Sequence, residues 1–368
     1  MRLRGLLRKE ALQILRDPSS IAIAFVMPLI LLLLFGYGIS LDAKRIPVDF
    51  VVENPTAETA SFEASFGNSP YFIPHRVPDR QTAEDDLVAG RASAVIVLRS
   101  DFSRRLHDPR GAPIQLLVNG TDANTARLAT GYVDGAWQAW LTQLARDRGV
   151  DLVAPVTIEQ RIWFNAAVRS RNFLVPGLIA IIMTLIGALL TALVIAREWE
   201  RGTMEALLVT PVSTTELLLG KLIPYFVLGM GGMILSVAMA ILLFDVPFRG
   251  SFPVLTIASA LFLLAALGMG LLISTISKNQ FVAGQIAIIV TFLPAFILSG
   301  FLFDIQSMPP IVQWITHVIA ARYFVAILQT SFLAGNVWSI ILPNAVALAV
   351  MASFFLGLTK HKTLKRLE

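Results

Sequence analysis

Six apolar runs, each close to or beyond the roughly 18 residues that predict a membrane-spanning helix, punctuate the chain. They are Ser20–Ile39, Phe173–Ala196, Leu222–Phe244, a run from Pro253 to near Ile276, Phe281–Phe303 and Trp338–Leu358. A seventh, Val318–Ala334, is also apolar but carries Arg322 near its start and Gln329 further on. Counting it as a crossing would place Lys360, Lys362, Lys365 and Arg366 on the outer side, against the positive-inside rule. A re-entrant or interfacial pair of helices within residues 304–337, with Pro309, Pro310 and Trp314 at the boundary, restores the parity. The pattern therefore predicts a polytopic α-helical membrane protein of six transmembrane helices. Helix 1 occupies residues 20–40, helices 2–6 fall within 172–358, and both termini lie on one side. The first run follows a basic flank, as in a signal peptide cleaved near Gly38-Ile39-Ser40, but its length exceeds a signal core, so an uncleaved helix is expected.

The polar remainder is informative. Residues 1–16 place Leu3, Leu6, Leu7, Ala11, Ile14 and Leu15 on one broad helical face. Arg2, Arg8, Lys9, Gln13 and Arg16 fall on the other, with Arg4 intruding on the apolar side. This fits an amphipathic interfacial helix within residues 1–19, its cations toward lipid headgroups, and equally a basic flank that only fixes orientation. Asp17-Pro18 supplies an N-cap and a first-turn proline for the span that follows. Between the first two spans, residues 41–171 alternate strand and helix signals: strands at Ile46–Val52, Ala92–Leu98 and Pro113–Val118, and helices from Thr82 to Gly90, at Ser100–Leu106 and at Asp122–Arg148. The expectation is an inserted α/β or α+β extracytoplasmic domain with its own core. His75 and His107 lack partners at metal-ligand spacing, and Trp137 and Trp140 sit at the helical spacing of core residues.

Charge decides between partners. The chain carries a formal net charge of +5, with a pI near 9.7, 55% hydrophobic residues and mean hydropathy +0.70. Residues 41–171 have a net charge of −1, whereas segments 1–19, 197–221, 276–280 and 359–368 together have +6. The excess is topological bias rather than a nucleic-acid footprint, and it assigns those segments, including the basic tail 359–368, to the cytoplasm. The absence of cysteine excludes disulfides, thiolate metal sites and a cysteine nucleophile.

One charged hairpin, residues 197–221, is pinched between the second and third spans. It holds Arg197, Glu198, Glu200, Arg201, Glu205, Glu216 and Lys221. Its grammar is helix, break, helix: good helix formers over Glu198–Val209, an interruption at Pro211, and a capping box in which Ser213 caps the N–H of Glu216 while Glu216 reaches back to that of Ser213. Lys221 is placed to snorkel at the inner end of the third span. Charge alone is compatible with a solvated loop. Gly220-Lys221 is not a P-loop, because Thr215 stands where its first glycine belongs and Leu222 is not Ser or Thr. No His-Glu-x-x-His pattern or nucleophile elbow occurs either.

The order Glu198-Trp199-Glu200-Arg201-Gly202-Thr203-Met204-Glu205, then Thr210-Pro211-Val212-Ser213 and Gly220-Lys221, resembles the first cytoplasmic loop of ABC-2 type permeases, the membrane subunits of ATP-driven exporters. Ala94–Val97 with Ser100–Ser103, Val118–Asn124 and Ser170–Gly177 are similar to the large periplasmic domain and membrane re-entry of a drug-exporter subgroup. The resemblance implies that Arg197, Glu198, Glu200, Arg201, Gly202, Thr203, Glu205, Pro211 and Lys221 form a coupling element that docks in an ATP-binding subunit, with Glu198 and Glu200 facing that partner and Arg201 holding local geometry. It implies an outer re-entrant segment around Arg322, and a substrate path along a dimer interface beside the second and fifth spans. ATP and Mg would bind the partner subunit, with no cofactor, metal or catalytic residue in this chain. The implied setting is a bacterial inner membrane. The partners would be a second permease, identical or paralogous, the lipid membrane, and a periplasmic adaptor with an outer-membrane channel, but no nucleic acid. A membrane-anchored receptor or assembly scaffold using residues 41–171 is the alternative, and a membrane hydrolase a distant third.

Overall fold

The computed structural model describes residues 2–38, 45–106, 114–120, 123–147, 149, 164–165, 169–204 and 212–363. Two compact units divide the chain: Met1–Ser40 with Ile162–Glu368, and Leu41–Arg161. Ser170 and Arg171, expected in the insert, form the start of the next helix.

The first unit opens with α1 (Arg2–Leu15) and α2 (Pro18–Gly38), separated by Arg16 and Asp17; the Asp17 carboxylate caps the N–H of Ser19 at 3.1 Å. The inserted unit then runs β1 (Ile46–Val52), α3 (Ala57–Gly67), β2 (Phe72–Val77), α4 (Arg80–Val88), β3 (Ala94–Leu98), α5 (Phe102–Arg105), β4 (Ile114–Val118) and α6 (Ala123–Asp147). Its strands form one sheet in the order β2-β1-β3-β4, with β1 parallel to β2 and β3, and β4 antiparallel to β3. Both faces are covered, which is why β3 is an unbroken apolar run rather than an alternating one. On one face Phe50, Phe62, Phe66, Phe102 and Trp140 make an aromatic core; Phe62 lies 5.4 Å from Trp137 and 5.1 Å from Trp140, ring centre to ring centre. On the other, Ala83 of α4 meets Val51, Val95 and Val97. The helix expected from Thr82 starts at Arg80, because Asp79 is its cap and accepts the N–H of Thr82 at 2.9 Å. That backbone bond holds the Asp79 carboxyl below the ordinary range. The hydrophobic pattern announces neither α3 nor β2: α3 has a capping box of Thr56 and Thr59, with Thr59 where a Glu is usual, and β2 is an edge strand interrupted by Pro74 and His75.

After the insert come α7 (Ser170–Glu200), α8 (Thr214–Leu242), α9 (Phe252–Ser277), α10 (Gln280–Leu298), α11 (Pro310–Thr316), α12 (Ala320–Leu333) and α13 (Trp338–Lys362). Among the described residues, six helices are long and apolar enough to span a bilayer: α2, α7, α8, α9, α10 and α13. The chain is thus a multi-pass membrane protein. The apolar centre of α7 is 94% buried among its neighbours, against 22% for α10 and α13. Small residues allow this packing. A Cβ on Gly270 would run into Thr191 and the Ala188 carbonyl, and the Thr191 hydroxyl donates to the Leu267 carbonyl at 2.8 Å. Of the two spans expected beside a dimer-lined path, α10 is open and α7 is enclosed by its own chain.

The seventh apolar run forms α12, 14 residues long, and is bent away from the helix before it. α11 and α12 meet at a bend of 83°. Arg322 braces it, donating to the Gln313 carbonyl at 3.4 Å and to the Thr316 hydroxyl, while the Tyr323 hydroxyl donates to the His317 carbonyl at 2.8 Å.

A candidate coupling site at the charged end of the bundle

The charged hairpin begins inside a helix. α7 continues through Glu200, Arg201 caps it, and Gly202 turns the chain at φ +67°, a conformation that a side chain with a Cβ disfavours. The separate helix expected over Glu198–Val209 is thereby corrected at its start: Glu198, Trp199 and Glu200 are the last turn of the second span. Glu205 and Pro211 lie outside the described residues.

Glu198 points inward and is 4% exposed; Lys221, in the second turn of α8, is 2% exposed. Their ion pair measures 3.0 Å. Lys221 also binds Glu10 of α1 at 3.0 Å, and Lys9 of α1 binds Glu198 at 2.8 Å. Thr203 donates its hydroxyl to the same Glu198 carboxylate. The result is an alternating chain, Glu10–Lys221–Glu198–Lys9, with two charges of each sign. Burial opposes the charge on Lys9, yet its hydrogen bond to Glu198 and the nearness of Glu10 outweigh that and raise its pKa. Lys221 does not snorkel as expected. A carboxylate waits for it on each side, and leaving both buried without a cation would cost far more than burying the ammonium.

A second set of contacts ties the same helix end to two further spans. Arg197 pairs with Asp17 at 2.8 Å and donates to the Gln280 side chain at 3.3 Å. Glu200 accepts the backbone N–H of Gln280 at 2.8 Å and its side-chain amide. Burial disfavours the Asp17 carboxylate, but hydrogen bonds from Ser19, Arg197 and Ser20 hold its carboxyl well below the usual range. Lys278, at the turn between α9 and α10, sits 4.8 Å from the centre of the Trp199 ring. Ser213 accepts the N–H of Glu216 at 3.2 Å, and Glu216 accepts that of Ser213 at 2.8 Å, closing a capping box at the start of α8.

Four of the nine expected coupling residues are therefore tied up within the chain. Arg197, Glu198, Thr203 and Lys221 are engaged within the chain, and Glu200 is exposed but bound to Gln280. Local geometry is held by Arg197 rather than Arg201, which is exposed and has no side-chain partner among the described residues. Five participants lie outside the hairpin: Lys9, Glu10, Asp17, Lys278 and Gln280. Glu10 leaves a trace in the sequence. With Leu6 and Ile14 it lies at i, i+4, i+8 spacing on the packing face, where a carboxylate requires a buried cation.

The profile of the ABC-2 family transporter proteins matches residues 18–359. The chain is an ABC-2 permease. Over its full length it is 46% identical to a protein of Escherichia coli K12 named probable multidrug ABC transporter permease YbhS, covering 98% of that relative. It is 28% identical to a second, probable multidrug ABC transporter permease YbhR, over 99% of each chain. An inner membrane transport permease of the same organism, YhhJ, is 30% identical over 78% of this chain and 77% of its own. As an ABC-2 permease the chain is a membrane subunit without an ATP site of its own. The charged end just described falls in the segment of the loop whose order of residues carries the resemblance.

Proposed function

We propose that this permease forms the membrane half of an ATP-driven exporter that moves amphiphilic or hydrophobic compounds out of the cytoplasm or the inner leaflet. Mg-ATP binds a separate subunit, which docks on the hairpin between α7 and α8. One observation carries the reading: the buried Glu10–Lys221–Glu198–Lys9 chain locks α1, α7 and α8 into one body at the end where the hairpin emerges. A push on the hairpin is then passed to the most enclosed helix of the bundle instead of being absorbed by a loose loop. Arg201 and Gly202 mark where the hairpin leaves that body, so the contact with the partner lies beyond them. The names of the relatives, which call YbhS and YbhR probable multidrug permeases, support a drug-like substrate.

In this reading the locked end faces the cytoplasm of a bacterial inner membrane, as the +6 charge of segments 1–19, 197–221, 276–280 and 359–368 favours. The bent pair α11–α12 is a re-entrant element at the opposite face. Residues 41–171 form an inserted α/β domain outside the membrane, suited to a periplasmic adaptor leading to an outer-membrane channel. A second permease completes the transporter, and α2, α10 and α13, the least enclosed spans, offer it a surface.

The test is reconstitution of the chain with the ATP-binding subunit in vesicles. ATP hydrolysis that rises with an amphiphilic drug, together with ATP-dependent movement of that drug, is expected. Hydrolysis indifferent to every drug and no transport would return the chain to a scaffold role.

A further inference from the structure

The helix α1 uses two faces for two purposes. Leu6, Glu10 and Ile14 turn toward α8: a Cβ on Gly220 would meet Leu6 at 3.0 Å, Glu10 is bound to Lys221, and Ile14 is buried. The neighbouring face, Gly5, Arg8, Lys9, Leu12, Gln13 and Arg16, follows i, i+3, i+4, i+7, i+8, i+11 spacing and lines an open concavity of about 850 Å³. Asp17, Ser19, Arg197, Arg201 and Gln280 complete its wall.

Five cations and one carboxylate line this space. Two of the cations are already balanced, Lys9 by Glu198 and Arg197 by Asp17. Arg8, Arg16 and Arg201 line the same cavity, and among the described residues none of the three has a side-chain partner to neutralise it. Guanidinium forks match the paired oxygens of a phosphate. The position supplies the source of that phosphate. Pro18 begins α2 directly after Arg16 and Asp17, and Glu200 ends α7 directly before Arg201, so the concavity sits at the depth where spans leave the hydrocarbon. Leu12, 44% exposed on the cavity wall, and Leu15, 71% exposed on the same helix, provide apolar surface for acyl chains.

We propose that this concavity binds the phosphate headgroup of an anionic phospholipid, with Arg8, Arg16 and Arg201 as its ligands. The lipid would brace α1 against the bundle on the side away from the Glu10–Lys221 pair. The proposal does not depend on the transport reading, since it concerns only the chain and its bilayer.

The full-length chain, purified in mild detergent, is titrated with phosphatidylglycerol, with phosphatidylcholine of the same acyl chains, and with inorganic phosphate, and bound lipid is counted by native mass spectrometry. Each basic side chain near a headgroup contributes about a factor of five in affinity, so Arg8→Gln with Arg16→Gln should weaken phosphatidylglycerol binding about 25-fold. Phosphatidylcholine should bind the same variant as it binds the parent chain. The doubly conservative variant, Arg8→Lys with Arg16→Lys, should recover most of the affinity, which separates lost charge from lost fold. Lys360→Gln with Lys362→Gln, which removes two exposed cations from the end of α13, should change nothing. Unaltered phosphatidylglycerol binding by the Arg8/Arg16 glutamine variant would overturn the proposal, as would an equal loss in the Lys360/Lys362 control. Displacement of the lipid by equimolar inorganic phosphate would make this a free-phosphate site. Loss of an ATP-binding subunit with lipid retention intact would make the arginines a protein contact. Either result also overturns it.

Discussion

Lys221 and Glu198, 23 residues apart and each less than 5% exposed, form a 3.0 Å ion pair that joins the end of one span to the start of the next. The pair survives burial because it is not isolated: Glu10 and Lys9 extend it at both ends, so each buried charge has an opposite one in contact. Removing one member strands the others. Lys221→Met leaves Glu10 and Glu198 facing each other with only half-exposed Lys9 for two carboxylates, and should cost about 3–5 kcal/mol in the denaturant unfolding of the detergent-solubilised chain. Lys221→Met combined with Glu198→Gln restores one-to-one pairing of Glu10 with Lys9 and should lose clearly less than the sum of the single changes. Additive losses would show that the four residues do not act as a unit.

Acid and base should leave this end intact over a wide range. The Asp17 carboxyl is depressed in the folded protein, so its contribution is complete above the unfolded value of about 4 and fades as pH falls toward the folded one. Lys9 is raised, so its contribution is complete below about 10.5 and fades as pH climbs through the folded value. Asp17→Asn, which keeps a capping side chain but removes the charge facing Arg197, should lower stability by about 1.5–3 kcal/mol. That deficit should stay constant from pH 5 to 9, in round numbers, and shrink below about pH 4. A deficit that varied across the neutral range would mean that another group titrates there.

Docking is best tested beyond the locked body. Gly202 has φ +67°, and a β-branched residue there is strained by about 1–3 kcal/mol. Gly202→Val should leave membrane insertion intact and lower both capture of the ATP-binding subunit and drug efflux at matched expression. Glu198→Ala, by contrast, should show first as lost stability of the permease alone. Wild-type capture and efflux by Gly202→Val would remove the hairpin from the coupling route.

The number of crossings can be read with single cysteines, since the chain has none of its own. Asn68→Cys, Thr215→Cys and Lys362→Cys all lie at exposed positions. In intact cells, an impermeant maleimide that reaches the periplasm should label only the first. Labelling at Lys362→Cys would make the α11–α12 pair a seventh crossing.

The inserted unit should stand alone. Phe62, fully buried, touches Phe50, Phe66, Phe102, Trp137 and Trp140. Residues 45–165 expressed by themselves should melt cooperatively, and Phe62→Ala should cost about 3–5 kcal/mol from the cavity it leaves. A broad, non-cooperative melt of the parent fragment would argue that its core needs the membrane unit.

Local chemistry is what the sequence determined by itself. Twenty apolar residues must become a helix in lipid, because no other conformation satisfies their backbone there, so the six spans were legible, although α8 starts at Thr214, well before the apolar run at Leu222, and α10 ends at Leu298, short of Phe303. The Ser213–Glu216 capping box, the Asp17 cap and the buried strand β3 were legible for the same reason: each depends on neighbours within four positions or on an unbroken apolar run. Tertiary structure decided which charges face a partner. Glu198 and Glu200 differ by two residues, which on a helix is about 200° of rotation. That rotation sends one into a buried network with Lys221, Lys9 and Glu10, and the other to the surface against Gln280. No rule of local spacing contains Lys9 or Glu10, 189 and 188 positions before Glu198, because an ion pair forms wherever packing brings opposite charges together, whatever their separation along the chain.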